Sequence, residues 1–514
     1  MGLLGLLGST AFAAPQAAVS PTAASTSTIA GSTAQPVVAV GTAALPSATR
    51  PVATPMATTA AVVAHDELPA PRVKATLDDY RQWLDRLQER NAVAGLATAV
   101  VVDDHVVFEQ TLGYADATTH EPITPNTVFR LASLSKAFAT AITAVLVQDG
   151  QLSWDTRLAS VLPFFKLKDA QASAQASIGD ILGQRLGLPH NTYDSLLENN
   201  IPYDDLVRKL DEVDLACDVG QCYGYQNVAF SLIGDVIYAK TGEFFYHLVN
   251  KRIFGPLGMS TASYGRDSLE LSKSWARPHR ASGEGWIPFE PKDAYYHVAP
   301  AAGVNASLRD MEQWLIAQMG GRPDVLSAQQ LEMLHQPAVP TPIEMRSTPW
   351  RRARLSDAHY ALGWRVFEYG GETLVFHAGA VEGYRTMIGF FPKYHAGVVT
   401  MWNSAGATPS GLMPMVFDDM LDLPHVDWAG VESDAPATVA RPAGKSRGAR
   451  GRHVAVKSAA TKSHGKAAVA ARTGGKNKAA AVAKAGKTSQ PSKTKTVRSA
   501  SRKKTPAKKP PADD

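Results

Sequence analysis

Strand-like sequence occurs in two separate blocks of this chain, one early and one late, with a long helical stretch between them. The early block is Leu96-Ala-Thr-Ala-Val-Val-Val102 and His105-Val-Val-Phe-Glu-Gln-Thr-Leu112, joined across Asp103-Asp104. The late block is Ala361–Phe367, Thr373–Phe376, Thr386–Phe391 and Gly397–Trp402. Short apolar, β-branched runs bounded by turn residues read as strands. Helical periodicity fits Leu77–Gln88, Ala137–Val147, Val228–Tyr238, Leu308–Gln318 and, despite Pro414, Leu412–Leu421. Neither block alone makes a large sheet, so the two belong to one sheet built from both ends of a domain. The expected fold class is α/β (α+β): an antiparallel sheet flanked by helices, with a mostly helical lobe inserted between its halves.

Charge confines that domain. Residues 1–64 carry a single charge, Arg50, in a background of Ala, Thr, Ser, Pro and Val. Residues 65–440 hold 30 Lys+Arg against 45 Asp+Glu, and residues 441–514 hold 21 Lys+Arg against two acids. The overall charge of +5 therefore hides an acidic globular middle and a strongly basic tail. The expected organisation is a signal peptide over 1–14, a low-complexity linker over 15–64, one folded domain over 65–430 and a basic tail over 431–514. Gly2-Leu-Leu-Gly-Leu-Leu-Gly-Ser-Thr-Ala-Phe-Ala-Ala14 has an apolar run and a small-residue cleavage pattern but no basic start. It points to a periplasmic or secreted protein, with a cytoplasmic one as the alternative. No later run is long and apolar enough for a transmembrane segment.

The chemistry concentrates at Ser133 and Lys136. Residues three apart on a helix share a face, and a desolvated lysine can take a proton from a serine hydroxyl. Ser-x-x-Lys is weak alone: it occurs at Ser133, Ser463, Ser492 and Ser501, and only the first opens an apolar helix. Tyr225-Gln226-Asn227 is the one Tyr-x-Asn in the chain and precedes another apolar helix. A tyrosine beside a lysine can relay a proton, and an asparagine can orient the lysine or a substrate carbonyl. His377-Ala378-Gly379-Ala380 follows the run Thr373–Phe376. A glycine on a strand lets a substrate backbone come close. The similar His395-Ala396-Gly397 follows Phe391-Pro-Lys-Tyr394 and reads as a hairpin tip, and Gly444-Lys-Ser446-Arg-Gly448 lacks the strand and helix of a nucleophile elbow. Each motif singly has an ordinary reading as a helix cap, a loop tyrosine or a structural histidine.

Two cysteines, Cys217 and Cys222, have no Cys/His partners for a zinc set. In an exported protein they make a small-loop disulfide; in a cytosolic one they are two thiols.

In their order and contexts, Ser133-x-x-Lys136, Tyr225-x-Asn227 and His377-x-Gly379 resemble the serine β-lactamase and penicillin-binding-protein-like superfamily. The nearest branch is the class C β-lactamase-related esterases, D-aminopeptidases and D,D-carboxypeptidases. Thr127–Phe138, Ser177–Pro189, Gly303–Trp314 and Tyr360-Ala-Leu-Gly-Trp364 add to the resemblance, which covers roughly residues 70–425. It implies a β-lactamase/transpeptidase-like fold and a serine hydrolase working through an acyl-enzyme on Ser133. Lys136 and Tyr225 would manage the proton, and the N–H groups of Ser133 and Ala380 would hold the oxyanion. Asn227 would bind the substrate amide or hold Lys136, with His377, Gly379 and Ala380 also on the substrate side. The substrate would be a small molecule or peptide carrying an ester, amide, peptide or β-lactam bond, and no metal or organic cofactor is implied. A catalytically silent module that binds cell-wall peptides is the alternative. Many members carry lysine where this chain has His377. A histidine, largely neutral at pH 7, favours esters, amides or uncharged peptides.

Residues 441–514 resemble linker-histone tails in composition only. Such a segment would hold a polyanion in a salt-dependent way: lipopolysaccharide, a wall polymer or nucleic acid.

Overall fold

The computed structural model describes residues 65–283 and 285–433. The apolar start, the linker 15–64, the tail beyond 433 and the Ser446, Ser463, Ser492 and Ser501 patterns lie outside the described residues.

The first helix, α1 (Ala70–Glu89), starts seven residues before the periodic run at Leu77. Its first turn contains Pro71, which is tolerated because an N–H there has no intrahelical acceptor. Strands β1 (Gly95–Val102) and β2 (His105–Asp116) form a hairpin over Asp103 and Asp104. Both turn residues take positive φ, 49° and 62°, the conformation a tight two-residue hairpin demands and aspartate tolerates. The inserted lobe then runs through α2 (Ser135–Gln148), a series of short helices, α3 (Leu232–Thr241) and α4 (Leu308–Met319). The chain returns to the sheet as β3 (Leu355–Tyr360), β4 (Arg365–Tyr369), β5 (Glu372–Val381), β6 (Tyr384–Phe391) and β7 (Ala396–Trp402). Helix α5 (Leu412–Met420) follows, with Pro414 placed harmlessly in its first turn.

The sheet has nine strands in the order Glu121–Pro122, β2, β1, β7, β6, β5, β4, β3, Val339–Pro340. The early block joins the late one through the antiparallel pair β1–β7, in register Leu96↔Trp402 to Val102↔Ala396. The antiparallel sheet built from both ends and the inserted helical lobe expected from the sequence are both present. Helices cover both faces. Leu84 and Leu87 of α1 and Met413 and Phe417 of α5 share one core with Leu96, Val100, Phe376 and Val398. On the other face Phe138 and Ile142 of α2 and Trp314 of α4 share a core with Ala97, Ala99, Val375 and Val399. Burying each such large side chain is worth roughly 1.5–3 kcal/mol. Double coverage explains why β1 shows no polar alternation. Its one polar side chain, Thr98, bonds Tyr80 (2.7 Å), Thr400 (2.8 Å) and the Val399 carbonyl (2.9 Å).

One expected strand is wrong. Ala361–Phe367 is not a single strand: β3 ends at Tyr360, and Ala361–Trp364 form a turn closed by Ala361 N–H to Trp364 O at 2.8 Å. Those four residues are apolar because the turn is buried against α2. Gly363 has φ 76°, and a Cβ there would lie 2.9 Å from the Lys136 carbonyl. Apolarity alone does not separate a buried turn from a buried strand. The His395 decoy does sit on a hairpin, with φ 42°.

Candidate active site

Ser133 lies in a one-turn 3-10 helix, Ala132–Leu134, that runs straight into α2. Ala132 is held at φ 50°, uncommon for a residue with a Cβ. Three contacts over-determine that turn. Ser135 Oγ donates to Ala132 O (2.6 Å) and accepts from Val304 N–H (2.9 Å), while Thr386 Oγ1 of β6 donates to Leu131 O (2.9 Å). Strand β5 crosses the turn at Gly379. A Cβ on Gly379 would collide with Leu131 O and Thr386 Oγ1 and lie 3.2 Å from Ser133 N, so only glycine allows this approach. Strand β4 pairs with β5 only as far as Phe376↔Arg365. From His377 onward β5 is paired with β6 but not with β4, which leaves the stretch through Gly379 and Ala380 as a local edge beside Ser133.

Lys136, in the first turn of α2, is fully buried. Its ammonium donates to Asn227 Oδ1 at 2.7 Å and to Ala301 O at 3.1 Å. It also lies 4.6 Å from the Tyr225 ring centroid and 5.3 Å from that of Phe230. Burial pushes its proton affinity well below the ordinary lysine range; Asp194 opposes the shift and Arg365 adds to it. Burial raises the Tyr225 phenol to about 12, while Arg365 and a hydrogen bond to Ser133 pull it back down. At neutral pH the phenol keeps its proton and the buried lysine is the group most ready to accept one.

The segment Tyr225–Asn227 is irregular and pinned by hydrogen bonds. Tyr225 N–H donates to His190 Nδ1 (3.0 Å) and Gln226 N–H to Gln184 Oε1 (2.7 Å), while Asn191 N–H donates to Tyr225 O (2.7 Å). Just before it, Gly224 packs backbone to backbone on Leu188, and Gly187 does the same on Cys217. Cys217 and Cys222 are disulfide-bonded in this loop, with their Cα atoms 6.2 Å apart. Both ends of the Asn227 amide are engaged: Oδ1 accepts from Lys136 and Nδ2 donates to Asp194 Oδ2 at 2.7 Å. Asn227 thus holds the lysine.

His377 joins a different group. Its ring is fully buried, with Nδ1 2.9 Å from Ala378 O and Nε2 3.2 Å from Arg365 Nη1 and 3.4 Å from the Tyr360 hydroxyl. An arginine can only donate, so Nε2 is the acceptor and Nδ1 carries the proton. Burial, then Arg365 and Lys136, keep the imidazole well below the usual histidine range, and it is neutral. Arg365 also meets Glu344 at 3.4 Å, and Glu344 pairs in turn with Arg351.

The structure therefore brings Ser133, Lys136, Tyr225, Asn227 and Gly379 together, with Ala380 next along the local edge and His377 beneath it. Sequence reasoning missed Ser135, Asp194, Glu344 and Arg365. Arg365 left one faint trace, a lone charge in Ala361-Leu-Gly-Trp-Arg-Val-Phe367. The others are ordinary polar residues whose partners lie far away in the chain.

The chain is 25% identical to the "Unguisins hydrolase ungD'" of Aspergillus campestris over 372 residues, 68% of this chain and 67% of that protein. It is 24% identical to "Protein flp" of Staphylococcus aureus over 332 residues, 63% of this chain and 64% of that one. It thus spans about two thirds of the length of these relatives. In fold it is similar to the octameric penicillin-binding protein homologue from Pyrococcus abyssi, with a TM-score of 0.58 and 21% identity over 68% of this chain and 78% of that one. SurE is similar as well, with a TM-score of 0.56 and 21% identity over 69% of this chain and 78% of that one. Residues 80–413 match the beta-lactamase family over most of the folded region, and the chain belongs to that family.

Proposed function

We propose that the protein is a serine hydrolase that works through an acyl-enzyme on Ser133. The observation that carries this reading is a fully buried Lys136, in the first turn after Ser133, 4.6 Å from the Tyr225 ring centroid and lowered in proton affinity by burial. Ser133 attacks the substrate carbonyl as its proton passes to Tyr225, and Tyr225 hands its own proton to the free-amine form of Lys136, the form that burial favours. The tetrahedral oxyanion is received by the N–H groups of Ser133 and Ala380. The leaving group takes the proton back, and water repeats the sequence to release the product. Asn227 and Asp194 hold Lys136 in place throughout.

The bond cleaved is an ester, amide, peptide or β-lactam bond. His377 is fully buried and engaged with Arg365, so it sets no preference among these on the substrate side; one relative is named for hydrolysing unguisins. The Cys217–Cys222 bond suits an oxidising compartment and supports export. Among the described residues no helix is long and apolar enough to cross a membrane.

Intact-mass spectrometry of the full chain with a fluorophosphonate probe, and separately with a penicillin, tests the reading. One probe adduct on wild type and none on Ser133→Ala is the expected result. A penicillin adduct or turnover would shift the substrate towards β-lactams and wall peptides. A folded wild type that takes neither reagent would leave the silent peptide-binding module as the better account.

A further inference from the structure

Arg365 has no part in the proton route above, yet its guanidinium lies beside the Tyr225 ring. It opens β4, directly after the buried turn Ala361–Trp364 that packs on α2 at Lys136. Its guanidinium carbon lies 5.5 Å from the Tyr225 ring centroid and 5.7 Å from that of Tyr360. One end of the fork donates to His377 Nε2 at 3.2 Å, and the other meets Glu344 Oε1 at 3.4 Å. A cation with most of its side chain out of water is costly unless it is paired and hydrogen-bonded. Here the cost is met by Glu344, which Arg351 also holds, so the two arginines and one glutamate keep a net positive charge beside Tyr225.

We propose that Arg365 is the fixed cation of this site, a positioning residue that acts on proton transfer through Tyr225 and Lys136 rather than by touching the substrate. The proposal rests on the serine hydrolase reading and assigns His377 a role within it: its unprotonated Nε2 is the acceptor that holds the guanidinium against the tyrosine. The division of labour is physical. A fully buried imidazole stays neutral, whereas a guanidinium remains charged at any working pH.

Other charged and titratable groups face the same centre. Asp194 and Glu344 bear on Tyr225 with the opposite sign, and Tyr223 and Tyr360 pack against its ring. His190 lies behind its backbone, and burial lowers that histidine's proton affinity. Neither histidine supplies a charge near neutrality, and Arg351 is committed to Glu344. Arg365 lowers the proton affinity of both Tyr225 and Lys136. Removing it makes both groups hold their protons more tightly. The acid limb of the Ser133 acylation profile then moves to higher pH, whichever of the two accepts the serine proton.

The test compares full-length wild type, Arg365→Gln, Arg365→Lys and the double variant Arg365→Gln/His377→Lys. Fluorophosphonate labelling of Ser133 is followed by intact mass across the pH range, with thermal melting on each protein. The double variant moves a cation to the position from which His377 now holds one. Expected is an upward shift of the acid limb by about one unit in Arg365→Gln, or roughly tenfold slower labelling on that limb. Arg365→Lys and the double variant should return the limb towards wild type. Uniform slowing of Arg365→Gln at every pH, or no slowing, would overturn the proposal and leave Arg365 a packing residue. If Arg365→Gln fails to fold, Arg365→Met is read in its place: its limb must also rise, and an unmoved limb would overturn the proposal. An NMR titration of the Lys136 side chain, assigned with Lys136→Met, gives a readout free of catalysis: its midpoint must rise when Arg365 is neutralised. An unlabelled wild type would sink the hydrolase reading while this titration still tests the cation.

Discussion

At the scale of the residue, the behaviour of Lys136 follows from what surrounds one nitrogen. Its ammonium has two oxygen acceptors, Asn227 Oδ1 and Ala301 O, and its other near neighbours are the faces of Tyr225 and Phe230. Desolvation disfavours the charged form, and the one carboxylate bearing on it, Asp194, acts from behind Asn227. Burial also raises the Asp194 carboxyl above the usual carboxylate range, while its bond from Asn227 and the charge of Lys136 pull it down. Asp194→Asn removes the opposing charge and keeps a polar partner for Asn227. The proton affinity of Lys136 should fall further, and the acid limb of Ser133 labelling should move to lower pH, opposite to the shift from Arg365→Gln. Labelling rates measured against pH check this; a limb that moves up would mean Asp194 serves only to hold Asn227. Gly379 shows the same dependence on neighbours. Its lack of a Cβ is an ordinary sequence observation, and only the carbonyl of Leu131 and the hydroxyl of Thr386 turn it into a requirement.

At the scale of the element, the site joins the start of α2 and strand β5 to short connecting segments. The serine turn, the Tyr225–Asn227 segment and the turn Ala361–Trp364 are all irregular, and each is pinned by hydrogen bonds or glycine contacts to its neighbours. The Cys217–Cys222 bond lies in the loop that packs on Gly187 and leads into Tyr225. Cross-linking two residues five apart restricts the unfolded chain by about 2 kcal/mol on a loop-entropy estimate. Reduction, or Cys217→Ser with Cys222→Ser, should therefore lower the melting temperature and slow labelling of Ser133, because the backbone presenting Tyr225 loosens. Melting and labelling with and without dithiothreitol measure both effects. No change in either would mean that the Gly187, Gly224 and Gln184 contacts suffice to hold the loop.

At the scale of the whole molecule, the acidic folded middle and the basic tail have separate roles in the proposed account. Residues 441–514 hold 21 Lys+Arg against two acids, and the expectation from that charge is salt-dependent retention on a polyanion. Full-length protein should bind heparin at low salt and elute as salt rises, since each neutralised phosphate or sulfate releases counterions. A chain ending at residue 440 should pass through the column and still label at Ser133. Equal retention of both forms would place the polyanion site elsewhere or nowhere.

Much of the fold was legible in the residues alone. Periodicity located both strand blocks, the hairpin at Asp103-Asp104 and the helices, because these depend on local alternation and turn chemistry. The short motifs also named Ser133, Lys136, Tyr225, Asn227 and Gly379, residues that the fold gathers in one place. What the sequence could not specify was set by long-range packing. Ala361–Trp364 reads as strand until α2 is placed against it. Nothing local distinguishes a histidine that faces a substrate from one that is fully buried and holds Arg365. The proton affinities of Lys136 and Tyr225 and the neutrality of His377 depend on burial and on charges brought in from Asp194, Glu344 and Arg365. Local sequence determined which groups could do the chemistry; only the tertiary structure decided their charge states and partners, because desolvation and Coulomb interactions act through space rather than along the chain.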